Sequence, residues 1–125
     1  LLGDVFFRKE ACTETLVDDM WRPLSTPEGK ASAYATLQNT VHPNQVKSHE
    51  KDLQSLEIET HLIWGEEDKI FPATRCGEAM RQATNAKTFT VLAGTGHSPP
   101  EEVPEAFLQA LAQVTQCDYT ATHVS

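Results

Sequence analysis

No apolar run in this chain approaches the ~20 residues needed to span a bilayer, so no membrane-spanning segment is expected. Basic residues are few and scattered: ten Lys and Arg against eighteen Asp and Glu give a net charge of -8. That balance argues against a nucleic-acid surface, which needs a basic patch or stripe. The three cysteines, Cys12, Cys76 and Cys117, form no Cys-x-x-Cys pair, and no His or Cys pair has zinc-ligand spacing. An odd number also fits poorly with a disulfide framework and reads as reduced thiols in a cytoplasmic protein. Leu1-Leu2-Gly3-Asp4 lacks the basic start and apolar stretch of a secretory signal. The first residue is Leu rather than Met, which suggests a start farther upstream. There is no internal repeat and no low-complexity tract.

What is present is the material of a folded globular chain. Hydrophobic residues make up 39% and charged residues 22%, outside the composition of disordered tails. Glu10 to Trp21 reads as a helix, with Thr13 or Thr15 as cap and Leu16/Met20 and Val17/Trp21 as i,i+4 pairs. Pro23 ends it. Thr26 as N-cap and Pro27 at the first helical position start a second helix, along which Tyr34, Leu37 and Val41 recur. His42-Pro43-Asn44 stops that helix, and residues 44 to 57, polar with Leu53 and Leu56 as apolar anchors, read as a short helix or a connection. Pro104 opens a last helix whose apolar face is Phe107, Leu108, Leu111 and Val114 or Ala112. The tail after Cys117 is polar and expected to fray.

Residues 58 to 97 hold the chemistry. Ile58 to Trp64 is an apolar run of the kind found in strands buried on both faces. It ends in Gly65-Glu66-Glu67-Asp68. Pro72 then opens a helical stretch, Ala73 to Ala83, with Cys76, Met80 and Ala83 on one face. A second short run, Phe89 to Leu92, ends in Gly94-Thr95-Gly96-His97. Two parallel strands joined by a crossover helix bring both loops to one edge of a sheet. Asp68 and His97 are therefore expected to meet: an acid and a base at the carboxyl ends of strands, where open α/β sheets place ligands. The glycines beside His97 are expected to turn the backbone and leave room for a substrate. Glu66 and Glu67 read as solvated, Glu101 and Glu102 as first-turn acids favoured by a helix dipole, and His42, His49, His61 and His123 as incidental. Trp21, Tyr34 and Trp64 read as core aromatics, with Trp21 and Tyr34 also candidates for lining a substrate pocket.

Leu62-Ile63-Trp64-Gly65-Glu66-Glu67-Asp68 followed by Pro72 resembles the segment that carries the acid of α/β-hydrolases. Gly94-Thr95-Gly96-His97 followed by Glu102-Val103-Pro104 and Phe107 is similar to the segment that carries their histidine. The stretch from Val17 to Leu24 with Thr26-Pro27 resembles their late cap helices. The resemblance covers about residues 53 to 114. It implies an α/β fold in which residues 1–45 are the C-terminal part of a helical cap and 46–125 the C-terminal part of the core sheet with its flanking helices. It further implies a catalytic base, His97, an orienting acid, Asp68, a small-molecule substrate of the ester, epoxide or halide kind, and no metal or organic cofactor.

One part of that pattern is missing. No pair among the six glycines flanks a Ser, so the sharp turn that would carry the nucleophile does not occur in this sequence. Two parallel strands also make little core. The chain is thus expected to be the C-terminal portion of a larger domain, to require the missing N-terminal half of the fold, and to show no turnover alone. The alternative is a non-catalytic relative that binds a ligand or a partner. An unrelated strand–helix–strand domain would instead hold Asp68 and His97 far apart.

Overall fold

A computed structural model describes residues 2–40 and 52–116. Val41, the stop at His42-Pro43-Asn44, most of the polar connection, His49, Cys117 and the tail with His123 lie outside the described residues. The chain divides into two compact units, and among the described residues these are 2–11 with 58–116, and 12–40 with 52–57. A short helix, α1 (Leu2–Val5), and a 3₁₀ turn at Lys9–Ala11 open the chain in the first unit.

The second unit is helical. Its first helix, α2, spans Glu14–Trp21, four residues later than the periodicity predicts. The Thr13 side chain accepts the Leu16 N–H at 3.2 Å, and this cap fixes where the helix can begin. Pro23 lies within a 3₁₀ turn, Arg22–Ser25, that leads to Thr26. Thr26 Oγ1 then accepts the Gly29 N–H at 3.0 Å, and α3 runs Pro27–Thr40 as expected from Thr26-Pro27. None of residues 12–38 and 52–57 is buried. Trp21 is 62% exposed, Tyr34 64% and Leu37 63%, so Trp21 and Tyr34 are not the core aromatics their size suggests.

The first unit is a small mixed α/β assembly. Strand β1 (His61–Gly65) pairs in parallel with β2 (Thr88–Leu92), His61 opposite Thr88 and Gly65 opposite Leu92. The strand begins at His61 rather than Ile58, which is 69% exposed. Its first four residues are half-buried, where the apolar run predicts burial on both faces. Only two strands pair among the described residues, so β1 has a neighbouring strand on one side alone. The crossover opens with a π-helical turn, Ala73–Gly77, in which the Pro72 carbonyl accepts from Cys76 N at 2.7 Å and more distantly from Gly77 N. It tightens into α4 (Glu78–Ala83). Trp64 meets Phe89 edge to face, with ring centroids 6.3 Å apart.

After β2 come α5 (Pro99–Glu102) and α6 (Pro104–Thr115). Helix α6 packs on both strands. Its inward row is Phe107, Ala110 and Val114, with Val103 buried just before it. Leu108 and Leu111, expected on the apolar face, are 37% and 39% exposed. Among the described residues the buried apolar side chains are Phe6, Ala73, Val103 and Ala110, with Phe6 only 1% exposed. No helix among the described residues is long and apolar enough to cross a membrane.

Candidate functional site

Parallel pairing puts the ends of β1 and β2 side by side, and the loops that follow them carry Asp68 and His97. The two strands are bound together beyond their ends: Glu66 N donates to Leu92 O at 3.0 Å and Glu67 N to Thr95 O at 2.8 Å. Asp68 and His97 stand 2.9 Å apart, Oδ2 to Nδ1.

Asp68 is 6% exposed. Its other oxygen, Oδ1, accepts the main-chain N–H groups of Ile70 and Phe71, each at 2.9 Å. A carboxylate held this way has one oxygen left, Oδ2, and it faces the imidazole. An ionised carboxylate only accepts, so the ring proton sits on Nδ1 and Nε2 carries the lone pair. Nε2 has no hydrogen-bond partner among the described residues, and the His97 side chain is 35% exposed. The imidazole is thus oriented from one side and open on the other, as a general base must be.

The walls are apolar. Phe71 lies beside the imidazole with ring centroids 5.5 Å apart, and its carbonyl accepts the Trp64 indole N–H at 2.8 Å. Ile63, Trp64, Phe71 and Pro99 line a cavity of about 190 Å³ into which Asp68 and His97 face. No hydroxyl or thiol among the described residues hydrogen-bonds to His97. Nor does any group of three His, Cys, Asp or Glu side chains among them stand close enough to hold a metal ion.

Three expectations change here. The space left by Gly96 is filled by the chain itself rather than kept for a ligand: a Cβ there would lie 2.7 Å from Phe7 N and Val5 O and 2.8 Å from Glu102 Oε1. Glu102 is a buried hydrogen-bond centre, not simply a first-turn acid favoured by a helix dipole; it accepts from Phe7 N, Arg8 N and Gly96 N. His61 is not incidental either. Its ring bridges Thr88 Oγ1 and Glu59 Oε1, each at 2.9 Å, while Lys87 Nζ donates to Glu59 Oε2. This ties the beginnings of the two strands together, and the neighbouring Lys87 and His61 hold the Glu59 carboxyl below its usual range. Trp21 and Tyr34 lie on α2 and α3 of the helical unit, and the Tyr34 hydroxyl accepts from Gln38 at 2.9 Å. Glu66 and Glu67 are exposed as expected. Cys12 and Cys76 are free thiols.

No protein-family model, curated protein or solved structure matches the chain.

Proposed function

We propose that this chain supplies the base and the orienting acid of a hydrolytic triad, as the C-terminal portion of an α/β-hydrolase bearing a helical cap. The observation that carries the reading is the Asp68–His97 hydrogen bond at 2.9 Å, with Asp68 pinned by two further N–H donors and Nε2 open. In the reaction, Nε2 takes the proton of a Ser hydroxyl or Cys thiol carried outside this sequence and later returns it to the leaving group; with an Asp nucleophile, which has no proton to give, Nε2 instead takes a proton from the water that cleaves the covalent ester. Asp68 keeps the proton on Nδ1 and stabilises the imidazolium that forms. The apolar wall of Ile63, Trp64 and Phe71 suits a small substrate of ester, epoxide or halide type. The half-buried strand β1 supports a sheet that continues beyond these two strands. Helices α2 and α3, with Trp21 and Tyr34 exposed, are the proposed end of the cap.

The test is the reading frame upstream of Leu1 and the protein it encodes. The proposal expects a Gly-x-Ser, Asp or Cys-x-Gly turn there, and hydrolysis of an aryl ester, epoxide or haloalkane. Asp68→Asn should lower kcat by roughly 10⁴, as for the orienting aspartate of serine proteases, and His97→Ala should abolish turnover. A frame without that turn, whose product binds a small ligand but does not hydrolyse it, would favour the non-catalytic relative. Turnover by the 125-residue chain alone, lost in His97→Ala, would refute the division of the triad proposed here.

A further inference from the structure

Glu102 is a buried ionisable side chain for which the Asp68–His97 pair has no use. It is 6% exposed, at the end of α5, and its carboxylate faces four main-chain N–H groups. Oε1 accepts from Gly96 at 2.9 Å and from Ser98 at 3.4 Å; Oε2 accepts from Phe7 at 2.9 Å and Arg8 at 2.8 Å. Gly96 and Ser98 are the residues on either side of His97. The N–H of His97 itself donates to Val5 O at 2.7 Å, so the segment held by Oε2 closes back on the histidine. Arg8 Nε adds a bond to Gly94 O at 3.0 Å on the same loop.

Only an acceptor of high capacity fits this place. A carboxylate has about four lone-pair directions and no donor. A glutamine would put an NH₂ group against at least one main-chain donor. Bonds from N–H groups to an ionised acceptor are also stronger than neutral ones, so the arrangement is stiff as well as satisfied. The missing Cβ of Gly96 is what lets Oε1 come near enough.

We propose that Glu102 is a positioning residue for His97: its carboxylate fixes the main chain on both sides of the imidazole and anchors it to the segment Val5–Arg8. This rests on reading Asp68–His97 as a base with its orienter. Without the clamp, the His97 loop would keep its link to Asp68 only intermittently.

The experiment is NMR on the ¹⁵N-labelled 125-residue chain. His97 ring nitrogens are read first in the wild type and in Asp68→Asn. A proton on Nδ1 in the wild type, lost in Asp68→Asn, supports the underlying reading, and its absence from the wild type refutes that reading alone. Glu102→Gln then tests the clamp. Amide exchange at Phe7, Arg8 and Gly96 is expected to speed up at least about tenfold, since bonds to a charged acceptor are lost. The His97 ring should average over both tautomers. Faster amides with an unchanged His97 ring would overturn the proposal, leaving Glu102 only as an anchor of the N-terminal segment. Unchanged amides would overturn it too. If Glu102→Gln does not fold, Glu102→Asp, which keeps the charge but is one methylene shorter, is read by the same two signals. In the wild type, Phe7 and Arg8 amides exchanging at unstructured-peptide rates would be equally decisive against it.

Discussion

Gly65 lies against the carbonyl of Gly96: a Cβ on Gly65 would stand 1.9 Å from that oxygen and 2.5 Å from the carbonyl oxygen of Thr95. The end of β1 therefore sets the position of the loop that presents His97. Both neighbours are main chain and have no rotamer to yield, so Gly65→Ala must move the loop as a whole. We expect a loss of about 1–3 kcal/mol, the usual cost of overpacking, together with loss of the His97 Nδ1 proton signal. Urea unfolding and NMR of the ring measure the two effects; a stable Gly65→Ala chain with a wild-type imidazole would contradict the contact.

Asp68 has two duties that different substitutions separate. Oδ1 accepts the Ile70 and Phe71 N–H groups, and Oδ2 accepts a hydrogen bond from the imidazole Nδ1–H. Asparagine keeps an oxygen for the two main-chain donors but turns an NH₂ toward His97, so the ring must accept there and carry its proton on Nε2. Alanine strands both donors in a buried site, at about 1–3 kcal/mol. The expected pattern is therefore a reversed tautomer with little change in urea midpoint for Asp68→Asn, and a lowered midpoint for Asp68→Ala.

These two residues were legible in the sequence because the relation between them is topological. A crossover between parallel strands brings the following loops to one edge whatever the intervening helix does in detail. Thr26 with Pro27 was legible for a local reason: a cap and a proline act within one turn. Glu102 was not. Two of its partners, Phe7 and Arg8, lie 95 and 94 positions away in a segment with no periodicity of its own. A surplus acid beside Pro99 and Pro100 gives no sign of them. The burial of β1 falls short of its pattern because an apolar run records what a strand is made for, not how many strands stand beside it.

Helix α6 shows the same limit and yields a prediction. Its apolar residues form two adjacent rows, and periodicity does not say which one meets the sheet. Ala110 is 5% exposed, whereas Leu108 and Leu111 are more than a third exposed. Ala110→Leu should force side chains into β1 and β2 and cost about 1–3 kcal/mol. Leu108→Ala and Leu111→Ala should each cost no more than about 1 kcal/mol, since much of each side chain already meets water. Urea midpoints of the three variants decide between the rows; the reverse ranking would mean that the leucine row faces the strands.

The Glu78–Arg81 pair on α4 gives a dependence on pH whose sign is fixed. Arg81 Nε donates to Glu78 Oε2 at 2.9 Å, its Nη2 to Oε1, and Gln82 adds a bond to Oε1 at 3.1 Å. The Arg81 guanidinium, with Gln82 behind it, lowers the Glu78 carboxyl to about 2. The folded state thus binds this proton less readily than the unfolded chain does. The pair's contribution is complete above the ordinary carboxylate range and is lost as pH falls from there toward 2. Both side chains meet solvent, so the effect is modest and salt screens it. Glu78→Gln should therefore be less stable than wild type near neutral pH and equally stable only once the pH has fallen below about 2. The gap near neutrality should also narrow at about 1 M salt. Urea midpoints across that pH range, with a carboxyl titration of Glu78 by NMR, measure both effects. A gap that stays constant down to the acid limit would mean that Glu78 contributes by packing rather than by its charge.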